Sequence, residues 1–249
     1  MTAAAALTAP ELAFAIAAVF LAGMVRGFSG FALSAMIMVS LVGLIPPVEL
    51  LPVCVVLELS ASALLLRGGW GDADRRMALL LQSGALLGTP LGLWLTNTIP
   101  PDLSRRIALA LILVLAASQL LRLRLPLSHA ALPTIATGIF SGLVTGLASV
   151  GGMVIALYTL ALGASPRQMR GTLILIIFIG GLLQIFWQSL FGMFTATSLT
   201  RAAILIAPAL AGVLIGRRLF TPAWEGYYRP FSLWLLISLA AINLARALL

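Results

Sequence analysis

The 249-residue chain has no lysine, one cysteine, one histidine and seven carboxylates. Each scarcity closes a class of function. Without lysine there is no Gly-x-x-x-x-Gly-Lys phosphate loop, so the chain does not drive transport with ATP by itself. A single cysteine, Cys54, rules out an internal disulfide or a multi-cysteine metal centre, and it reads as a small packing residue. No metal site and no cofactor are expected. Charged residues make up only 9% of the chain, against 61% hydrophobic, with mean hydropathy +1.14. A soluble domain of this size needs more charge than that to cover its surface. The apolar runs do not alternate with polar residues, as strands of a transmembrane barrel would. The composition therefore predicts an all-α, polytopic helical membrane protein with the lipid bilayer as its partner.

What charge there is comes mostly from arginine. Fifteen arginines give a net charge of +8. In a soluble protein this balance would suggest nucleic acid. Here most arginines lie at the ends of apolar runs, so they read as topological signals, and no nucleic-acid partner is expected. The N-terminal stretch carries Glu11 and no early arginine. It lacks the basic region of a signal peptide, and Glu11 to Val25 is expected to be mature structure.

Charges, prolines and glycine clusters divide the chain into eight apolar runs. The first four are Glu11–Ile45, Leu50–Leu66, Met77–Thr98 and Ile107–Leu121. The second four are Ala130–Leu162, Gly171–Phe194, Ala202–Gly216 and Phe231–Leu249. Each set is one over-long run followed by three of ordinary length. Gly88 and Gly92 match Gly212 and Gly216, Arg105 matches Arg229, and Gly43 and Pro46 match Gly163 and Pro166. This is an internal duplication, with an N-terminal repeat over 1–125 and a C-terminal repeat over 126–249. The spaced glycines Gly84, Gly88, Gly92, Gly138, Gly142, Gly212 and Gly216 read as close-packing positions.

The over-long runs set the topology. As one straight helix, Glu11–Ile45 would be about 50 Å long, against a hydrocarbon core of about 30 Å. Glycine clusters interrupt both long runs, at Gly27-Phe28-Ser29-Gly30 and at Gly146-Leu147-Ala148-Ser149-Val150-Gly151-Gly152. Folding back there predicts a broken or re-entrant hairpin with two arms of roughly 22 Å in the first repeat. Each repeat then makes an odd number of net crossings, so the two are inverted. Hairpins place Arg67, Arg75, Arg76, Arg122, Arg124, Arg167, Arg170, Arg217, Arg218 and Arg229 on one side. Arg105, Arg106, Arg201 and Arg246 fall on the other. The arginine-rich side is expected to be cytoplasmic, with both termini periplasmic in a bacterial inner membrane.

The two hairpin tips carry the candidate site. After each glycine turn a helix restarts, and its free N–H groups and positive dipole end face the turn. Two such ends meeting at mid-depth would bind a small anion without any charged side chain. The candidate substrate-binding residues are Arg26, Gly27, Ser29, Gly30 and Ser34 from the first tip. Those from the second are Thr145, Gly146, Ser149, Gly151 and Gly152. Arg26 is the one arginine deep between apolar arms, where a charge is usually functional. It pairs either with an anionic substrate or with a carboxylate, unless it snorkels to the surface. Glu58, well inside Leu50–Leu66, is either a carrier of a coupling proton or the fixed partner of Arg26. Gln184 and Gln188 share a helix face and either line a polar path or bond between helices.

One enzymatic pattern is present. Gly27-Phe28-Ser29-Gly30 has the Gly-x-Ser-Gly form of intramembrane serine proteases, which need a buried histidine as base. The single histidine, His129, lies in a linker, so no enzyme is expected.

These residues resemble a known group, the sulfite exporter TauE/SafE family of membrane permeases. The likeness lies in Gly27–Gly30 with Gly43–Pro46, in Gly142–Gly152 with Gly163–Pro166, and in Gly171-Thr172-Leu173. Ala32, Leu33 and Ser149 stand where the family's motifs have glycine. The resemblance implies a secondary transporter, with export of small sulfur-containing anions such as sulfite or organosulfonates, or of other organic anions. An anion channel using the same helix ends and a non-transporting membrane scaffold remain the alternative readings. A homodimer is compatible with either.

Overall fold

A computed structural model describes residues 7–121, 130–218 and 225–248. The order is α1 Ala9–Ser29, α2 Leu33–Leu41, α3 Pro47–Gly69, α4 Arg75–Thr98, α5 Pro101–Leu120, α6 Ala131–Ala148, α7 Gly151–Ala161, α8 Pro166–Leu190, α9 Ala196–Arg218 and α10 Glu225–Leu248. No strand occurs among the described residues. His129 and the 125/126 repeat boundary lie outside them, as do Arg122 and Arg124.

Local chemistry sets the helix ends. Pro47, Pro101 and Pro166 open α3, α5 and α8, where a missing N–H costs nothing. Asp74 caps α4 by accepting from Met77 N–H at 2.9 Å. Among the described residues seven helices are long and apolar enough to cross a membrane: α1, α3, α4, α5, α6, α8 and α9. Their outward faces hold Leu79, Leu87, Leu132 and Leu190, each 60% or more exposed. Such a surface suits lipid and not water. The short helices α2 and α7 are buried almost throughout, as expected of helices that are apolar on every face.

Both long apolar runs are broken, but the first does not form equal arms. α1 has 21 residues and α2 has 9, about 31 Å and 14 Å. The chain turns only after α1 has gone far enough to cross the core, and residues 42–46 return it as a loop. The proline correspondence also shifts by one: Pro47, not Pro46, opens α3 as Pro166 opens α8.

The helices pack in reciprocal pairs. α1 packs on α9 and α6 on α4; α3 packs on α9 and α8 on α4; α2 packs on α10 and α7 on α5. α3 meets α8, and α5 meets α10. Exchanging α1–α5 with α6–α10 reproduces these pairs, as a two-fold axis would. Glycine contacts give the directions. A methyl on Gly23 would collide with Ala209 and one on Gly27 with Val213; from the other helix, one on Gly212 would collide with Phe20 and one on Gly216 with Met24. The numbers rise together, so α1 and α9 are parallel. Likewise Gly84 meets Ile135, Gly88 meets Ile139 and Gly92 meets Leu143, so α4 and α6 are parallel. Asp74 N–H donates to Thr172 and the Gln82 amide to Ile176 O, so α4 also runs with α8. Since α8 turns back into α9 through five residues, α6 runs opposite to α1. The two five-helix sets are inverted, and the spaced glycines form the seams between them.

Candidate functional site

The first break begins where α1 ends. Gly30 takes φ +80° and Ala32 takes φ +76°. Ser29 turns inward on its own backbone: its hydroxyl lies 2.7 Å from both Val25 O and Phe31 O. The last carbonyls of α1 are held from α8, where Arg170 donates to Gly27 O at 2.9 Å and Phe28 O at 3.3 Å. A cation at a helix C-terminus is electrostatically favourable. Residue identity alone gave no hint of this role, because Arg170 reads as a loop charge at the end of a run.

Arg26, one turn back, is fully buried and does not snorkel. Its Nε lies 3.1 Å from Glu58 Oε2, and its Nη2 donates to Ser62. Nη1 has no partner. Glu58 is the central residue of α3, and its Oε1 accepts from Ser34 N–H at 3.0 Å and Ser34 Oγ at 3.1 Å. The carboxylate thus caps the start of α2 while neutralising Arg26. In this structure Glu58 is paired with Arg26, and it also lines the cavity described below.

The second break is built on the same plan with different side chains. α6 ends at Ala148, Ser149 takes φ +56°, and α7 starts at Gly151. Ala32 and Ser149 are the two non-glycine residues at positive φ among those described. Both stand where the family motif has glycine. Thr96 accepts the role of Arg170 here, donating to Gly146 O at 3.0 Å. Gly151 is required by close approach: a methyl would strike Thr145 Oγ1 and Ser141 O. Ser141 Oγ donates to Gly151 O at 3.0 Å. Val150, at the head of α7, offers no side-chain cap; Met153 N–H donates to Val150 O at 2.9 Å, which leaves the N–H groups of Gly151 and Gly152 without an acceptor in the helix.

Between the breaks lies a cavity of about 70 Å³, room for a few waters or one small oxyanion. Ala32 and Ala35 reach it from the first break and Ser149 to Met153 from the second. Of the residues expected from sequence, Glu58, Thr145, Ser149, Gly151, Gly152 and Gln184 line it. Arg26 and Ser34 stand behind Glu58, bonded to it. Ser29 and Gly30 belong to the turn beside Arg170. Gly27 and Gly146 are seam glycines, packed on Val213 and on Leu93. Gln188 is buried with both amide atoms unpartnered.

Sequence reading missed three polar lining residues, Gln82, Thr89 and Ser141. Gln82 had a signal: it is a glutamine inside the apolar run Met77–Thr98. Its Nε2 donates to Ile176 O at 2.6 Å, which fixes the amide orientation and leaves Oε1 without a partner. Gln184 Nε2 is also unpartnered. Buried polar atoms left unsatisfied in an apolar bundle are costly, and a bound polar ligand would relieve them.

The described residues hold no cluster of three histidine, cysteine or acidic side chains suited to a metal. No curated protein and no solved structure matches the chain. Residues 15–244 match the family described as Sulfite exporter TauE/SafE. A glycine-broken, inverted, multi-pass helical bundle matched over nearly its whole length in this way belongs to the TauE/SafE family of membrane transporters.

Proposed function

We propose that the protein is a secondary transporter that exports a small sulfur-containing or organic oxyanion, and that the anion binds in the cavity at the uncapped start of α7. The observation that carries this reading is the cavity itself. It brings a helix N-terminus without a side-chain cap together with Thr145, Ser149 and Gln184 inside an apolar bundle. Helix N-termini bind anions through free N–H groups and the dipole. Both breaks reach this cavity, so a motion of either one alters access to it.

The arginine pattern supports the orientation. Arg67, Arg75, Arg76, Arg167, Arg217 and Arg218 lie at the end of the bundle where α3, α4, α8 and α9 have their cytoplasmic termini in this reading. Both chain termini then face the periplasm of a bacterial inner membrane.

Gly152→Ala tests the site. The added methyl would meet only Ile177 side-chain atoms, the nearest at 3.2 Å, so the bundle folds while the cavity narrows. Sulfite uptake into proteoliposomes should saturate and show counterflow, and Gly152→Ala should reduce it about tenfold or more. Unchanged flux in a folded Gly152→Ala protein would place the site elsewhere. Ohmic currents without counterflow would make the protein a channel, and absence of anion flux would favour a scaffold.

A further inference from the structure

The duplication lets each residue around the first break be matched to a counterpart around the second. Gly23 and Gly142, Gly27 and Gly146, Gly30 and Ser149, and Pro47 and Pro166 are each 119 residues apart and play the same structural parts. The same step carries Arg26 to Thr145, Glu58 to Ile177 and Ser62 to Gly181. All three counterparts line the cavity. Where the second repeat has a hole, the first has an ion pair.

The contacts of Glu58 are those of a bound anion. Its carboxylate accepts from an N–H in the first turn of α2, from the Ser34 hydroxyl, and faces a fully buried guanidinium. Arg26 keeps one nitrogen, Nη1, without any partner at complete burial. A second observation thus accompanies the helix end: a buried cation with bonding capacity to spare.

We propose that the start of α2 is a second anion site, held closed by Glu58 as a tethered anion, and that it admits a small monocarboxylate when that side chain is shortened. The inference uses the geometry of the first break and does not depend on transport.

Glu58→Ala removes the atoms of one acetate. It leaves Arg26 buried and unpaired, a strongly destabilising state. Thermal unfolding of the detergent-purified variant should therefore respond to sodium acetate, titrated against gluconate at constant ionic strength. The expected result is a saturable rise in the midpoint for Glu58→Ala, larger than any shift that wild type and Arg26→Leu/Glu58→Ala share through the α7 cavity. If the variant folds too poorly to purify, the yield of folded protein from cells and buffers with and without acetate reads the same effect. Equal shifts in all three proteins, or no response from Glu58→Ala by either measure, would overturn the proposal. Wild-type sulfite flux is measured separately, so rescue without flux would sink the transport reading alone.

Discussion

Arg26 Nε stands 3.1 Å from Glu58 Oε2 in the interior of the bundle, and the two residues are far from equal in what they can lose. Glu58 has Ser34 as a second partner. Among the described residues Arg26 has one bond, to Ser62, besides the carboxylate, and Nη1 has no partner.

Removing either charge alone should therefore cost far more than removing both. Arg26→Leu strands a buried carboxylate and should destabilise the protein by about 3–5 kcal/mol, whereas Arg26→Leu/Glu58→Leu should recover most of that loss. A double-mutant cycle on unfolding midpoints in detergent checks this. Additive single effects would mean that the pair is not coupled.

The glycine seams give a graded prediction. Gly88→Ala drives a methyl into Ile139 O and should cost about 1–3 kcal/mol by overpacking. Gly68, with nothing within 4 Å of an added methyl, should accept alanine with a gain of up to about 1 kcal/mol. Thermal stability of the two variants side by side separates seam from surface.

Backbone strain at the two breaks is separately testable. Ala32 and Ser149 hold left-handed φ of +76° and +56°, a conformation costing roughly 1–2 kcal/mol for residues with a Cβ. Ala32→Gly and Ser149→Gly should each stabilise by about 0.5–1 kcal/mol once the extra freedom of the unfolded glycine is subtracted. Destabilisation by either would show that its side chain does more than fill the turn.

Polar atoms kept for a ligand should trade stability for affinity. Gln184→Leu removes an unpartnered buried amide nitrogen, so the empty protein should be as stable as wild type or more so. Sulfite affinity should nevertheless fall about tenfold. Thermal unfolding and binding measured on one preparation reveal the opposed signs. A parallel loss of both would make Gln184 a structural residue.

Much of this arrangement was legible in the sequence. Two glycine interruptions in two over-long runs foretold both breaks, and the arginine count foretold the inversion. The lengths of the arms were not legible, because α2 ends at Leu41 while apolar residues continue to Ile45, and hydropathy does not distinguish a buried loop from a helix. Arg170 was hidden for a similar reason: composition places it near a membrane surface, but only packing brings it to the end of α1. The partners of Glu58, Ser34 and Arg26, are far from it in sequence and come to either side of it only through packing. The empty counterparts Thr145, Ile177 and Gly181 are ordinary residues in sequence and acquire meaning only through their position.

The seams have a consequence for how the protein is made. The glycine face of α1 is completed by α9, and Gly23 waits for Ala209. At typical synthesis rates of about 5–20 residues per second, that interval is on the order of ten seconds or more. During this time the first five helices sit in the bilayer with the glycine groove of α1 open. An N-terminal half cut before α6 would keep that exposure permanently. The first five helices are therefore not a self-sufficient bundle: α1 is completed by α9, and α5 by α10, the last helix to be made.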